Sequence, residues 1–176
     1  FTIAETDSST SVSESGTTDT FTIVLNAQPS SDVALSVTSG DAGESISNSP
    51  LTFTSANWDT AQTVTVTGVD DDIIDGSVSS TLTIAIVDAI TDDNFDSVAD
   101  QTVSVTTTDD DVAGFTIVES SGSTSVDESG TTDTFTVVLD AEPASDVVLT
   151  IASSDTGEAT VTSTLTFTSA NWDTAQ

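Results

Sequence analysis

An antiparallel two-sheet β-sandwich, repeated in tandem, is the fold this chain predicts, and three observations lead to it. Apolar residues alternate with Thr, Ser and acidic residues at a period of two, and no stretch has helical spacing. Clusters of Gly, Asp, Asn and Ser punctuate the alternating runs at short intervals. The sequence also repeats itself: residues 1–62 align with residues 115–176 at a constant offset of 114, without gaps and with 42 identities in 62 positions. A unit of that length is an ordinary domain. The expected organisation is a complete repeat over 1–114 and the N-terminal half of a second, truncated copy over 115–176, the whole read as an excerpt of a longer protein.

The strands of the first copy are expected at Phe1–Glu5 with Ser11–Ser13, Thr20–Ala27, Asp32–Ser39, Leu51–Thr54, Gln62–Val69, Ser80–Ala89 and Gln101–Thr107. Within them, Thr20 to Leu25 and Thr81 to Ile86 set Thr against large apolar residues. Thr suits a solvent-facing strand position, because its branched side chain fits the pleat while its hydroxyl stays wet. Seven short strands with one apolar face each make a seven-stranded Ig-like sandwich whose core lies between the sheets. Trp58 and its counterpart Trp172 fall between two strands, where a large ring closes one end of the core. A sugar-stacking platform would need more than one exposed aromatic.

The chain carries 30 Asp and Glu and no Lys, Arg or His, a formal charge of −30. Self-repulsion of that size opposes compaction unless cations neutralise it. Disorder would also require low hydrophobicity, yet 35% of residues are apolar. Without Lys or Arg there is nothing to grip phosphate, which excludes nucleic acid as a partner. An anionic membrane surface would repel the chain, so no direct membrane contact is expected. Cys is absent, so neither disulfides nor thiolate metal sites form. A metal is the remaining staple for an extracellular domain.

The carboxylates are concentrated. Asp70, Asp71 and Asp72, followed by Asp75 and Gly76, end one strand, and Asp109, Asp110 and Asp111 end the last strand of the repeat. Adjacent carboxylates at strand ends repel, so a fold that gathers two such clusters calls for a multivalent cation. Calcium fits: it takes six to eight oxygen ligands in irregular geometry. Zinc and copper would want His or Cys. An EF-hand beginning at Asp71 fails, with Ile73 at its third position and Leu82 at its twelfth.

Four segments together resemble the Calx-β domains. Val12-Ser-Glu14-Ser-Gly16-Thr17 resembles that family's Glu-containing turn after the first strand, and Ser39-Gly-Asp41-Ala-Gly43 its Asp-Gly loop. Val69-Asp-Asp-Asp-Ile-Ile-Asp75-Gly76 is similar to its acidic loop, and Thr108-Asp-Asp-Asp111-Val-Ala-Gly114 to its closing triplet and linker. The resemblance implies a sandwich that ligates calcium at one end, beside the next domain, with Glu14, Asp41, Asp70, Asp71, Asp72, Asp75, Asp109, Asp110 and Asp111 as the ligand pool. Gly76 and Ser77 stand where family members carry further acidic residues, which implies fewer ions. In the second copy Glu128 and Asp155 are the corresponding ligands, without a complete site. The phrase from Leu51 to Gln62 also resembles repeats in giant RTX-type bacterial surface adhesins.

The function expected is therefore a calcium-binding structural extender of an extracellular, bacterial cell-surface adhesin, with neighbouring repeats of the same chain as partners. If the half-copy is ordered, the expectation is strand exchange with another chain or a longer natural chain that completes it. A ligand-binding module for carbohydrate, ice or another surface is the alternative, on the strength of the Thr-rich faces. Catalysis is not expected: no His or Lys serves as base and no Cys as nucleophile. Asp155-Thr156-Gly157 matches a short aspartic-protease string, but copy one has Asp41-Ala42-Gly43 there and the flanks are Ser.

Overall fold

The computed structural model describes residues 1–176, and they are all-β apart from three one-turn helices. The chain divides into two compact units, Phe1–Asp71 with Asp75–Asp110, and Asp72–Ile74 with Asp111–Gln176.

The first unit holds nine strands: β1 (Thr2–Glu5), β2 (Thr10–Ser13), β3 (Thr18–Val24), β4 (Val33–Ser39), β5 (Ser45–Ser47), β6 (Leu51–Phe53), β7 (Gln62–Gly68), β8 (Val78–Ile86) and β9 (Gln101–Thr108). One sheet has the order β1-β3-β7-β5 and the other β2-β9-β8-β4-β6. Their inner faces meet in one core. Phe21, Ile23, Val64 and Val66 of the first sheet pack against Leu35, Phe53, Leu82, Ile84 and Val105 of the second, all fully buried. The period of two thus divides each strand between core and water, as in Phe21 and Ile23 flanked by Thr20 and Thr22. Trp58 packs against this core, and its carbonyl accepts the N–H of Leu25 at 3.1 Å.

Two features depart from the sequence expectation. Ser45–Ser47 forms an additional strand, paired with Gly68 to Val66 of β7. The sandwich is also not wholly antiparallel, because β2 runs parallel to β9, with Thr10 opposite Val105 and Ser13 opposite Thr108. The cause lies in the turn between β1 and β2. Asp7 (φ 53°) and Ser8 (φ 66°) take left-handed conformations, which carry the chain from one sheet to the other. The second copy repeats the turn with Gly122 (φ 80°) in the place of Ser8.

At the other end of this unit Asp92 organises the connection between β8 and β9. It is buried, and one carboxylate oxygen accepts from the Ser30 N–H, the Ser30 hydroxyl and the Ser31 N–H, while the other accepts from Asn94. These donors hold its carboxyl well below the usual range, hydrogen bonding outweighing burial. Asp92→Ala should lower the unfolding temperature of the first unit, because five donors lose their acceptor. Thermal unfolding followed by circular dichroism checks this.

The second unit has two small sheets, β10 (Phe115–Glu119) with β11 (Phe135–Leu139) and β12 (Val147–Thr150) with β13 (Thr164–Phe167). Val137, Leu139 and Phe167 are buried at its centre, with Phe135, Leu149, Leu165 and Trp172 around them. Within the same unit the Glu142 N–H donates to the Asp72 carbonyl at 2.7 Å.

Candidate metal centre

The candidate centre lies at the end of the first unit where β2 and β9 stop and where β7 leads into the acidic loop. Glu14 is the first residue after β2, and its N–H donates to the Thr108 carbonyl of β9 at 3.1 Å. A tight turn follows, with Gly16 at φ 80° and the Thr17 hydroxyl accepting the Ser13 N–H at 2.7 Å. This turn aims Glu14 inward, so its side chain is only 1% exposed. The close approach of β2 depends on Gly68, the last residue of β7: a Cβ there would stand 2.7 Å from the Ser13 carbonyl carbon and closer still to its oxygen.

Glu44 enters from the loop between β4 and β5. Its backbone carbonyl accepts the Val69 N–H at 3.0 Å and the Thr107 hydroxyl at 3.2 Å, which locks the residue against β7 and β9. Its side chain is 6% exposed. Asp75 completes the group from the acidic loop. Oxygen atoms of Glu14, Glu44 and Asp75 all lie within 4.8 Å of one another. Asp109, just after β9, is near enough to Glu14 to raise its carboxyl. Asp109 further anchors the acidic loop by accepting the Gly76 N–H at 2.7 Å, where Gly76 turns at φ 75°.

The electrostatics are unbalanced. Neither carboxylate oxygen of Glu14 has a hydrogen-bond partner, and Glu44 Oε2 has none either. Burial, reinforced by Asp71, Asp109 and Asp75, pushes the Glu14 carboxyl up to about 7; only the approach of the Asp110 N–H, short of hydrogen-bond geometry, favours its charge. Burial likewise raises the Glu44 carboxyl, with Asp75 and Asp41 adding to the effect. Buried polar atoms without partners are rare and ask for an occupant. No Lys, Arg or His exists in the chain to supply one. The donor set is oxygen only and clustered within the reach of one cation, which matches the coordination of calcium.

The expected ligands divide into three groups. Glu14 and Asp75 fall within the carboxylate group, Asp71 and Asp109 are close enough to raise both buried glutamates, and Asp111 belongs to the second unit. Asp41, Asp70, Asp72 and Asp110 are exposed; Asp41 Oδ1 accepts the Gly43 N–H at 3.1 Å and so shapes its own loop. Glu128 and Asp155 are exposed in the second unit, where no three-carboxylate group forms. Asp155 closes the same loop as Asp41, accepting the Gly157 N–H at 2.9 Å.

Glu44 is the residue the sequence did not single out. Its one signal was position, three residues beyond Asp41 in a loop already marked as acidic.

No family model matches this chain, and no curated protein matches it. Several solved structures are similar at low identity. The E. coli chaperone DraB aligns with a TM-score of 0.45 at 7% identity, over 84% of this chain and 88% of that one. CBD12 from CALX1.2 aligns with a TM-score of 0.39 at 12% identity, and this chain spans 59% of its length. SSP-19 of Caenorhabditis elegans, an MSP-domain protein like family member, aligns with a TM-score of 0.38 at 15% identity, over 57% of this chain and 92% of that one. No ligand or activity passes from these proteins to this chain.

Proposed function

We propose that the chain is a calcium-binding structural repeat, an extender in the stalk of a large adhesin on a bacterial cell surface. The observation that carries this reading is Glu14: a fully buried carboxyl with both oxygens unpartnered, grouped with Glu44 and Asp75 in a chain that has no cationic side chain. A divalent cation supplies what these groups lack. Glu14, Glu44 and Asp75 would hold it from three loops at once, with Asp109 and Asp71 adding negative potential. Such a cation is a cross-link between the ends of β2 and β9 and the loops after β4 and β7.

In sequence, Asp110 closes the first unit and Asp111 opens the second. In this reading calcium bound beside that crossing limits the freedom of the junction and keeps an array of repeats extended. An extracellular location is part of this reading, since extracellular calcium is abundant enough to fill even sites of the weaker class.

The test is thermal unfolding of the complete chain in excess chelator and in millimolar calcium, with millimolar magnesium as comparator. Calcium should raise the unfolding temperature of the first unit, and magnesium should do so much less. Coincident melting curves in chelator and calcium would remove the proposal. Small-angle scattering under the same conditions addresses the junction: calcium should narrow the distribution of maximum dimensions.

A further inference from the structure

At the carboxylate end of the first unit, the core-facing positions carry hydroxyls where the rest of the core carries hydrocarbon. On β9 the inward side chains run Val103, Val105, Thr107, and on β8 they run Ser80, Leu82, Ile84. On β5 the inward residue beside them is Ser45. Thr107 and Ser45 are fully buried, and Ser80 nearly so. Valine has almost the volume of threonine and would bury more apolar surface at position 107. A buried hydroxyl, by contrast, costs free energy unless it is hydrogen-bonded. These hydroxyls are therefore to be understood from what they hold.

They hold the two sheets together beneath the glutamates. The Thr107 hydroxyl, from the five-stranded sheet, donates to the Glu44 carbonyl at 3.2 Å, just ahead of β5 in the four-stranded sheet. Ser45 Oγ lies 3.2 Å from Ser80 Oγ, which joins β5 to β8 across the core. The Glu44 carbonyl also accepts the Val69 N–H at 3.0 Å, just after β7. The Glu44 backbone is thus tied to both sheets. Glu14 is fixed to the same strand one residue further on, because its N–H donates to the Thr108 carbonyl at 3.1 Å. The last two residues of β9 therefore set the two buried glutamates relative to each other, and with them two of the carboxylates whose oxygens lie within 4.8 Å.

We propose that Thr107, with the Ser45–Ser80 pair beside it, positions the Glu44 carboxylate against that of Glu14 and so gives the centre its preference for calcium over magnesium. Magnesium needs oxygen contacts of roughly 2.0–2.1 Å, against about 2.3–2.6 Å for calcium, so it must draw its ligands inward. Glutamates held by adjacent residues of one strand do not follow, and the smaller ion keeps its water instead. Loss of the Thr107 hydroxyl leaves the Glu44 carbonyl with the Val69 N–H alone, and the carboxylate is then free to shift. Thr107 is a positioning residue in this scheme and not a ligand. The inference rests on the calcium-binding reading above.

Calcium and magnesium affinities of the full chain are measured by titration calorimetry for the parent, Thr107→Val and Thr107→Ser, with melting in chelator recorded alongside. Thr107→Val keeps the packing and removes the tie. Its calcium affinity should fall roughly 10-fold with magnesium affinity little changed, so that the calcium-to-magnesium ratio falls as well. Thr107→Ser keeps the tie and removes a methyl. It should melt lower in chelator and yet bind both ions as the parent does. A merely structural role predicts the converse, with affinity following stability in chelator instead of the hydroxyl, and that result overturns the proposal. Equal affinities and an equal ratio in the parent and Thr107→Val also overturn it, while leaving calcium binding itself standing. Absence of calcium binding by the parent removes that reading and this one together. Should Thr107→Val not fold, Ser45→Ala breaks the neighbouring tie, using the residue that the second copy carries as Ala159. The same fall in calcium affinity and in the ratio is expected, and unchanged values overturn the proposal.

Discussion

Replacing Glu14 by Gln is expected to move stability in opposite directions with and without calcium. In chelator the variant should be more stable than the parent above neutral pH, because it removes a charge held in a buried place without a partner. The gain should be on the order of 1–2 kcal/mol, the full equivalent of the shift being reduced by solvent at the open end of the sandwich. In calcium the order should reverse. Occupancy at a hundred times the dissociation constant stabilises the parent by about 2.7 kcal/mol, and a variant that has lost a buried ligand forfeits most of it. Paired melting curves in chelator and in calcium read both effects; parallel shifts of the two proteins would remove Glu14 from the centre.

The pH dependence has the same origin. A carboxyl pushed up to about 7 binds a proton in the folded state at pH values where the unfolded chain has already released it. The folded state then holds more protons between about pH 4.5 and 7, so stability falls as pH rises through that window. Cation-free protein should therefore melt higher at pH 5 than at pH 8, and the Glu14→Gln variant should show a flatter profile. Calcium should offset the loss at the upper end, because it takes the place of the proton.

Gly68→Ala is the second substitution with a large expected effect. The added methyl would overlap the backbone of Ser13, and backbone cannot rotate away as a side chain can. Overpacking of this kind costs about 1–3 kcal/mol and sometimes more. Because Ser13 immediately precedes Glu14, displacement of β2 should also spread the carboxylate group. The variant should thus melt lower in chelator and gain less from calcium than the parent. A variant with normal calcium stabilisation would show that Glu14 does not depend on the close approach of β2.

The strands were largely legible because Thr-apolar alternation is a local signal, and β3, β4, β7, β8 and β9 stand near their expected places. β5 was not, since Ser45-Ile46-Ser47 turns its apolar residue outward: Ile46 is 51% exposed and Ser45 is buried. What holds it is pairing with β7, and a pairing is invisible in a three-residue window. The parallel match of β2 with β9 was hidden for a similar reason. It depends on two left-handed residues, Asp7 and Ser8, neither of them Gly.

The centre was half legible. Runs of Asp announce themselves, and Asp75 and Asp109 were found that way. Glu44 stands alone in the sequence, and its burial is imposed by β7 and β9, which arrive from elsewhere in the chain. Conversely Asp70 and Asp110 belong to the runs but face water. The second copy shows the limit of local pattern most directly, because segments nearly identical to β2 and β3 form no strand or a shorter one where the partner strands are missing.

The parallel pairing of β2 with β9 has a mechanical consequence. These strands lie near the two ends of the first unit's chain and run in the same direction, side by side from Thr10 opposite Val105 to Ser13 opposite Thr108. Tension applied through the two ends slides one strand along the other, so the hydrogen bonds between them share the load and must fail together. An antiparallel terminal pair would instead unzip one rung at a time. A cation held by Glu14, immediately beyond β2, would sit beside the far end of that clamp and brace it under traction.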